Sequence, residues 1–307
     1  MTFQEKFSTL LNSDIAKQLI NIRHTLHKHP ELSLEEIQTT ALLKKECSKL
    51  NCAYLEDLSP TGLIGRIKGT NPDLAPIALR ADIDALPIQE ETNLPFKSII
   101  PGKMHACGHD MHTTWLLATL HLLSKQAPKQ DVIFIFQPAE EISAGAKLVL
   151  ETKQLQHVKE IYGGHVDLNY EVGQFVVHDG YISATSTIYH LTFSGKSSHI
   201  ARPEEGRSRL PALAEIIPII NNLHTNMPKK EPLILGIGRI HAGTANNISP
   251  ESVSIEGSIR SFSPINQDYI ATELNDKAKK IAKKYDLNYT LKFTPSSPAI
   301  LNNKQTN

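Results

Sequence analysis

Cysteine is scarce in this chain: Cys47, Cys52 and Cys107 are the only three among 307 residues. So sparse and odd a set does not build a disulfide framework, and it points to a reducing, cytoplasmic compartment. Charge of one sign is missing too, because 32 basic and 32 acidic residues cancel. That removes the electrostatic footprint of a nucleic-acid partner or an anionic membrane surface. Long apolar runs are absent, and the most apolar stretches, "VIFIF" and "LAEIIPII", fall well short of the ~20 residues that cross a bilayer. The opening "MTFQEKFSTLLNSDIAK" has no basic segment followed by an apolar one, so no secretion signal is expected. Internal repeats and low-complexity linkers are also lacking. Aromatics are few, with one tryptophan and nine phenylalanines against fourteen histidines. That inversion directs attention to metal chemistry.

The length suggests two domains, and 40% hydrophobic residues suffice for their cores. Ile15, Leu19, Ile22 and Leu26 repeat at helical spacing until "HKHPEL" interrupts them at Pro30. Ser33 and Glu36 have the spacing of a capping box for a second helix, "LEEIQTTALLKKECSKL". Three short apolar runs then each end in polar chemistry. "APIALRADIDALP" reads as a strand finishing at Asp82 and Asp84, "DVIFIFQPAEE" as one finishing at Glu140 and Glu141, and "EIYGGHVD" as one finishing at His165. "TTWLLATLHLLSKQ", apolar on nearly every face, reads as a buried helix between the first two. Alternating strands and helices predict an α/β domain with a mostly parallel sheet, whose ligands collect beyond the carboxyl ends of the strands.

From residue 182 onward the pattern changes. "TIYHLTF", "LILGIGRI", "SVSIEGSIRSF" and "NYTLKF" read as strands, and "SRLPALAEIIPIINNLHT" and "NQDYIATELNDKAKKIAKKYDL" as helices. The order β-α-β-β-α-β predicts a ferredoxin-like α+β domain inserted into the first. The expected boundaries are 1–181 plus 293–307 for the metal-binding catalytic domain and 182–292 for the insert.

"KMHACGHDMHTTW" gathers His105, Cys107, His109, Asp110 and His112 into residues 103–115. Thiolate, imidazole and carboxylate are the ligand types that zinc and its neighbours accept. Gly108 allows Cys107 and His109 to turn towards one point. A buried free thiol beside ordinary capping histidines is the alternative, and it suits Cys47 and Cys52 better than Cys107. His105 and His112 read as supporting residues rather than ligands. In "QPAEE", adjacent carboxylates on a regular strand point to opposite sides. At a strand end, one can bind a cation while its neighbour takes a proton from water. A solvated acidic turn ahead of a helix would account for one of these glutamates.

"MHACGHDMH", "FQPAEE", "GGH", "GKSSHIARP", "GTANNISP" and "GSIRSF" occur in that order. From about residue 15 onward the chain resembles the binuclear metallo-amidohydrolases that include aminoacylases, hippurate hydrolases, auxin–amino-acid hydrolases and N-acetyldiaminopimelate deacetylase. The resemblance implies two divalent ions, zinc, manganese or similar, with Cys107 bridging them. His109 and His165 would complete one ion and Glu141 would bind the other. It further implies Glu140 as general base, Asp82 as a carboxylate orienting a ligand, and Asp84 as a weaker candidate for that task. His199 would stabilise the oxyanion, often across a dimer, while Asn247 and Arg260 would hold the substrate carboxylate or carbonyl. The implied reaction is hydrolysis of an N-acyl amino acid by a homodimer joined through the insert.

The family's usual last metal-binding histidine has no counterpart, since no histidine follows His241. The ion held by Cys107 and Glu141 is therefore expected to be depleted, and a shortened sheet is expected to expose apolar surface. "GRSRLP" also departs from the more apolar stretch usual after the His199 motif. Two other functions remain open: a Cys107 nucleophile activated by histidine, and an inactive homologue that binds an acylated ligand or dimerises.

Overall fold

The computed structural model describes residues 13–228 and 230–305. Residues 1–12, part of the stretch read for a secretion signal, lie outside them. The chain divides into two compact units, Met1–Gln174 and Phe175–Asn307. Among the described residues no helix is long and apolar enough to cross a membrane.

The first unit contains helices α1 (Ser13–Lys28), α2 (Ile37–Cys47), α3 (His109–Lys125) and α4 (Gly145–Glu151). Its strands are β1 (Tyr54–Asp57), β2 (Leu63–Ile67), β3 (Ile77–Asp82), β4 (Val132–Gln137) and β5 (Glu160–Gly163). They form one sheet in the order β1-β2-β4-β3-β5. β4 is central and buried along its whole length. The twofold alternation of strand side chains explains the layering. Phe134 and Phe136 pack with Leu19, Ile22, Leu26, Leu117 and Leu120 from α1 and α3. Ile133 and Ile135 face the other way, towards Val149 of α4.

The expectation of a mostly parallel sheet needs correction, because this one is mixed. β3 runs parallel to β4 and β5, whereas β2 runs antiparallel to β1 and β4. The sequence patterns overlooked β1 and β2. β1 ends in the exposed pair Glu56 and Asp57, and β2 is interrupted by Gly65 and Arg66, so neither carries a continuous β-forming run. The connection at 58–62 is short enough only for antiparallel neighbours.

The Ser33–Glu36 capping box does not form either. Glu36 precedes α2 without a side-chain cap, and both side chains reach across the fold instead, Ser33 to Asp84 and Glu36 to Thr61. Glu31 does the capping, its carboxylate accepting the backbone N–H groups of Gln38 and Thr39. The buried helix starts at His109 and covers Leu116, Leu117 and Leu120, but its Trp115 face is 44% exposed.

The second unit contains β6 (Gly180–Ser183), β7 (Thr185–Ser194), α5 (Leu210–Asn222), β8 (Leu233–Ala242), β9 (Ser252–Ser261), α6 (Pro264–Lys284), β10 (Asn288–Ser297) and β11 (Ile300–Asn302). β7, β9, β8 and β10 form an antiparallel sheet in the order β10-β7-β9-β8. One face packs Tyr189, Leu191, Phe193, Val253 and Ile255 against Ile216, Ile220, Ile270 and Leu274 of the two helices. From β7 to β10 the element order is β-α-β-β-α-β, with β6 before it and β11 after it. β11 pairs with β6 in a separate two-stranded sheet, so the tail from 293 and residues 175–181 fall in this second unit.

Candidate metal centre

β3, β4 and β5 run in the same direction, so their carboxyl ends bring three connecting segments together. β3 delivers Asp82 as its last residue and Asp84 just beyond. The turn after β4 carries Glu140 and Glu141, and the loop after β5 carries His165. Cys107 and His109 arrive from the start of α3. Gly108 lies between them in the left-handed region, with φ 82°. A Cβ on Gly108 would sit 2.5 Å from Val166 Cγ2, so glycine alone fits both the backbone angle and the space.

Among the described residues three overlapping groups of potential ligands result: Cys107, His109 and His165; Asp82, His109 and His112; and His109, Glu140 and Glu141. His109 belongs to all three. Its Nδ1 lies 3.2 Å from Asp84 Oδ1. Among the described residues its Nε2 has no hydrogen-bond partner, although buried; it lies 3.8 Å from Glu141 Oε1, an atom likewise buried and unpartnered, and 3.8 Å from Asp82 Oδ2, which Arg80 already engages. Buried polar atoms are rarely left unpaired. Two orphaned buried atoms facing each other, an imidazole nitrogen that can yield its proton to a metal and a carboxylate oxygen, with the Cys107 sulfur close to the same imidazole, fit a centre for divalent cations. Cys107 Sγ also stands 3.3 Å from His165 Nε2, and His165 Nδ1 is held by the Val166 carbonyl oxygen at 2.6 Å.

Protonation follows from these contacts. The imidazoles of His109 and His165 hold the Cys107 thiol below its ordinary range, favouring thiolate. The Cys107 contact pushes His165 up to about 9. Burial disfavours charge on His109, but its contacts with Asp84 and Cys107 and the charges of Asp82 and Asp84 prevail and push it up to about 11. Burial raises Glu141. For Asp82, burial is outweighed by the His112 hydrogen bond and the Arg80 charge, which hold the carboxyl well below the carboxylate range.

Both aspartates hold imidazoles, each a different one. Asp84, the weaker sequence candidate, holds His109. It also accepts Ser33 Oγ at 2.7 Å and the Glu141 backbone N–H at 3.0 Å. Asp82 accepts His112 Nδ1–H at 2.6 Å and Arg80 at 2.7 Å. His112 in turn accepts the Val166 N–H at Nε2, 3.0 Å away, so both its ring nitrogens are engaged. His105 is buried with neither nitrogen partnered among the described residues, and burial pushes it down to about 4. Arg80 was missed in the sequence, although Arg80 and Asp82 share a strand face at the two-residue period that would have revealed it. His27 was missed as well. It bonds Asp110 at 3.0 Å and Glu90 at 3.3 Å behind the α3 terminus, and nothing in its local sequence marks that contact.

The remaining candidates lie in the second unit, all exposed. His199 forms a backbone bridge with Ile248, and Ile200 N–H donates to the Asn247 carbonyl at 3.0 Å, so His199 and Asn247 share one loop pair. Arg260 is the penultimate residue of β9. It lies about 27 Å along the strand from Ser252, near which that loop pair sits, at ~3.4 Å per residue.

The profile of Peptidase family M20/M25/M40 matches residues 78–305. The N-acetylcysteine deacetylase of Bacillus subtilis (strain 168) is 37% identical over 289 residues, covering 93% of this chain and 76% of the relative. An N-acetyldiaminopimelate deacetylase of Listeria monocytogenes is 37% identical over 285 residues, covering 91% and 76%. A solved dinuclear metal-binding peptidase of the M20 family from Bacillus subtilis superposes with a TM-score of 0.81 at 35% identity, covering 95% of this chain and 77% of that one.

Proposed function

The chain belongs to Peptidase family M20/M25/M40 and is a hydrolase, and from that premise we propose that it cleaves the amide bond of an N-acyl amino acid. The products are a carboxylic acid and a free amino acid, as the names of the deacetylase relatives suggest. The observation that carries this is the orphaned pair His109 Nε2 and Glu141 Oε1, beside Cys107 and His165.

Cys107, His109 and His165 would hold one divalent ion, and Cys107 with Glu141 a second. Zinc suits the thiolate and imidazole donors, and manganese the carboxylate-rich side. The second set, with fewer nitrogen and sulfur donors, is the weaker. A bound ion supplies Lewis-acid polarisation of the amide carbonyl and acidifies a water.

The chain's own residues do the rest. Glu140 takes a proton from the attacking water and returns it to the leaving amine. Asp84 fixes the orientation of His109 through Nδ1, leaving Nε2 as the nitrogen that would hold an ion, and Asp82 holds His112 against the Val166 N–H. His199 donates to the tetrahedral oxyanion. Asn247 and Arg260 take the substrate carboxylate, the planar Arg260 fork suiting bidentate contact.

Within one chain the length of β9 separates His199 and Asn247 from Arg260. This supports a homodimer in which a site draws the two groups from different protomers. β8 is the open edge of its sheet, ten residues long with Ile234 and Ile240 exposed, and such an edge favours pairing with a second copy. We place the second unit in the role of an inserted lid and dimerisation domain.

The test is turnover of a panel of N-acyl amino acids with defined divalent ions, Glu140→Ala alongside. Wild type is expected to act and the variant to lose about 10²–10⁴-fold in kcat. Equal inactivity of both would overturn the proposal. The lowered Cys107 thiol also suits a nucleophile, in which case chelation would leave activity intact.

A further inference from the structure

Glu36 takes no part in the ligand groups, yet it is wholly buried, at 0% exposure. Its Oε2 accepts the Thr61 hydroxyl at 2.6 Å, and its Oε1 accepts the backbone N–H of Ala139 at 2.8 Å. Ala139 directly precedes Glu140 and lies in the left-handed region at φ 50°, a conformation unfavourable for a residue with a Cβ. Its carbonyl is pinned as well, accepting Ala144 N–H at 3.1 Å and Gly145 N–H at 3.2 Å. Pro138 beside it is approached closely by two glycines. A Cβ on Gly62 would lie 2.6 Å from Pro138 Cδ, and one on Gly145 would lie 1.6 Å from the Pro138 carbonyl oxygen.

A buried carboxylate is unfavourable unless its oxygens are satisfied. Two donors from elsewhere in the fold satisfy Glu36: Thr61, on the segment packed against Pro138, and the strained peptide itself. The same chain segment braces the far end of the turn, where Ser33 and the Glu141 N–H meet on Asp84 Oδ2.

We propose that Glu36 is a positioning residue, which ties down the left-handed Ala139 peptide and thereby aims Glu140 and Glu141 at the cation site. Its kinetic consequence rests on the amidohydrolase reading; its effect on the carboxylates does not.

Full-length Glu36→Ala, Glu36→Gln and Thr61→Val are compared by cobalt(II) titration, followed by visible absorption, and by kcat and KM on N-acetyl amino acids. Glu36→Ala is expected to weaken cobalt binding about 10-fold or more, while the absorption band of the Cys107 thiolate persists. It should lower kcat by about 10²-fold, with KM within about 3-fold. Glu36→Gln, whose amide oxygen still accepts the Ala139 N–H, is expected to restore both quantities to within about 3-fold, and Thr61→Val to fall between. Wild-type cobalt affinity and kcat in Glu36→Ala would overturn the proposal. So would an unfolded Glu36→Ala combined with a Thr61→Val indistinguishable from wild type. If wild type turns over no N-acyl amino acid, the amidohydrolase reading fails, and the cobalt titrations alone decide the role of Glu36.

Discussion

In the first unit Asp82, Asp84, His109 and His112 are buried and bonded to one another, whereas in the second His199, Asn247 and Arg260 are exposed along opposite ends of one sheet. The contrast follows from the two kinds of sheet. Parallel strands end together, so their loops converge and can enclose charged groups that satisfy each other. An antiparallel sheet sends successive strand ends to opposite edges, and its polar residues stay in water until something docks on them. The first unit can therefore gather a candidate cation site from its own residues, while the second presents its candidates singly on its surface.

Mixing sharpens that comparison most. Glu140→Ala and His199→Ala, each about 10²-fold or more down in kcat alone, are expected to recover about a quarter of wild-type activity when their chains are co-refolded, because a mixed dimer regains one intact site. No recovery would mean that His199 serves its own chain or none. Next in size, Asp84→Asn is expected to lower zinc affinity by about 10–100-fold without unfolding the protein, measured by competition with a chromophoric chelator. An unchanged affinity would deny that the enclosed aspartate supports the site.

A smaller effect comes from the cluster behind α3. The Asp110 hydrogen bond raises His27, against opposing burial, and Glu90 adds to it. The fold thus favours protonated His27. Its contribution is complete below the ordinary value of 6.5 and is lost as pH rises through the folded-state value. Asp110 and Glu90 are both lowered despite burial, so their contributions are present above the usual carboxylate values and are lost in acid. Urea unfolding is expected to show wild-type stability declining above neutrality and a flatter profile in His27→Gln. Parallel profiles would remove His27 from that role. Smallest of all, Arg207→Ala breaks an exposed pair with Asp286 and is expected to change unfolding stability by less than about 0.5 kcal/mol. A larger loss would mean that charge pairs in the second unit matter as much as those in the first.

Much of the first unit was legible because burial on both faces makes a strand continuously apolar. "VIFIF" announces β4 for that reason, and the polar residues after it announce the site. The antiparallel pair β1 and β2 escaped because short strands with charged or glycine interruptions carry little periodic signal. Ser33 and Glu36 misled for a different reason: capping spacing is local, but their hydroxyl and carboxylate found better partners at Asp84, Thr61 and Ala139, residues remote in sequence.

Residue types and their order by themselves determined the family, the alternation of strands and helices, and the gathering of sulfur, imidazole and carboxylate. Only the tertiary structure decided that the sheet is mixed, that Asp84 rather than Asp82 holds His109, and that both nitrogens of His112 are already engaged. The physical reason is range. Periodicity and ligand chemistry are properties of a segment, whereas a hydrogen bond inside a protein goes to whichever partner the packing of distant segments brings within about 3 Å.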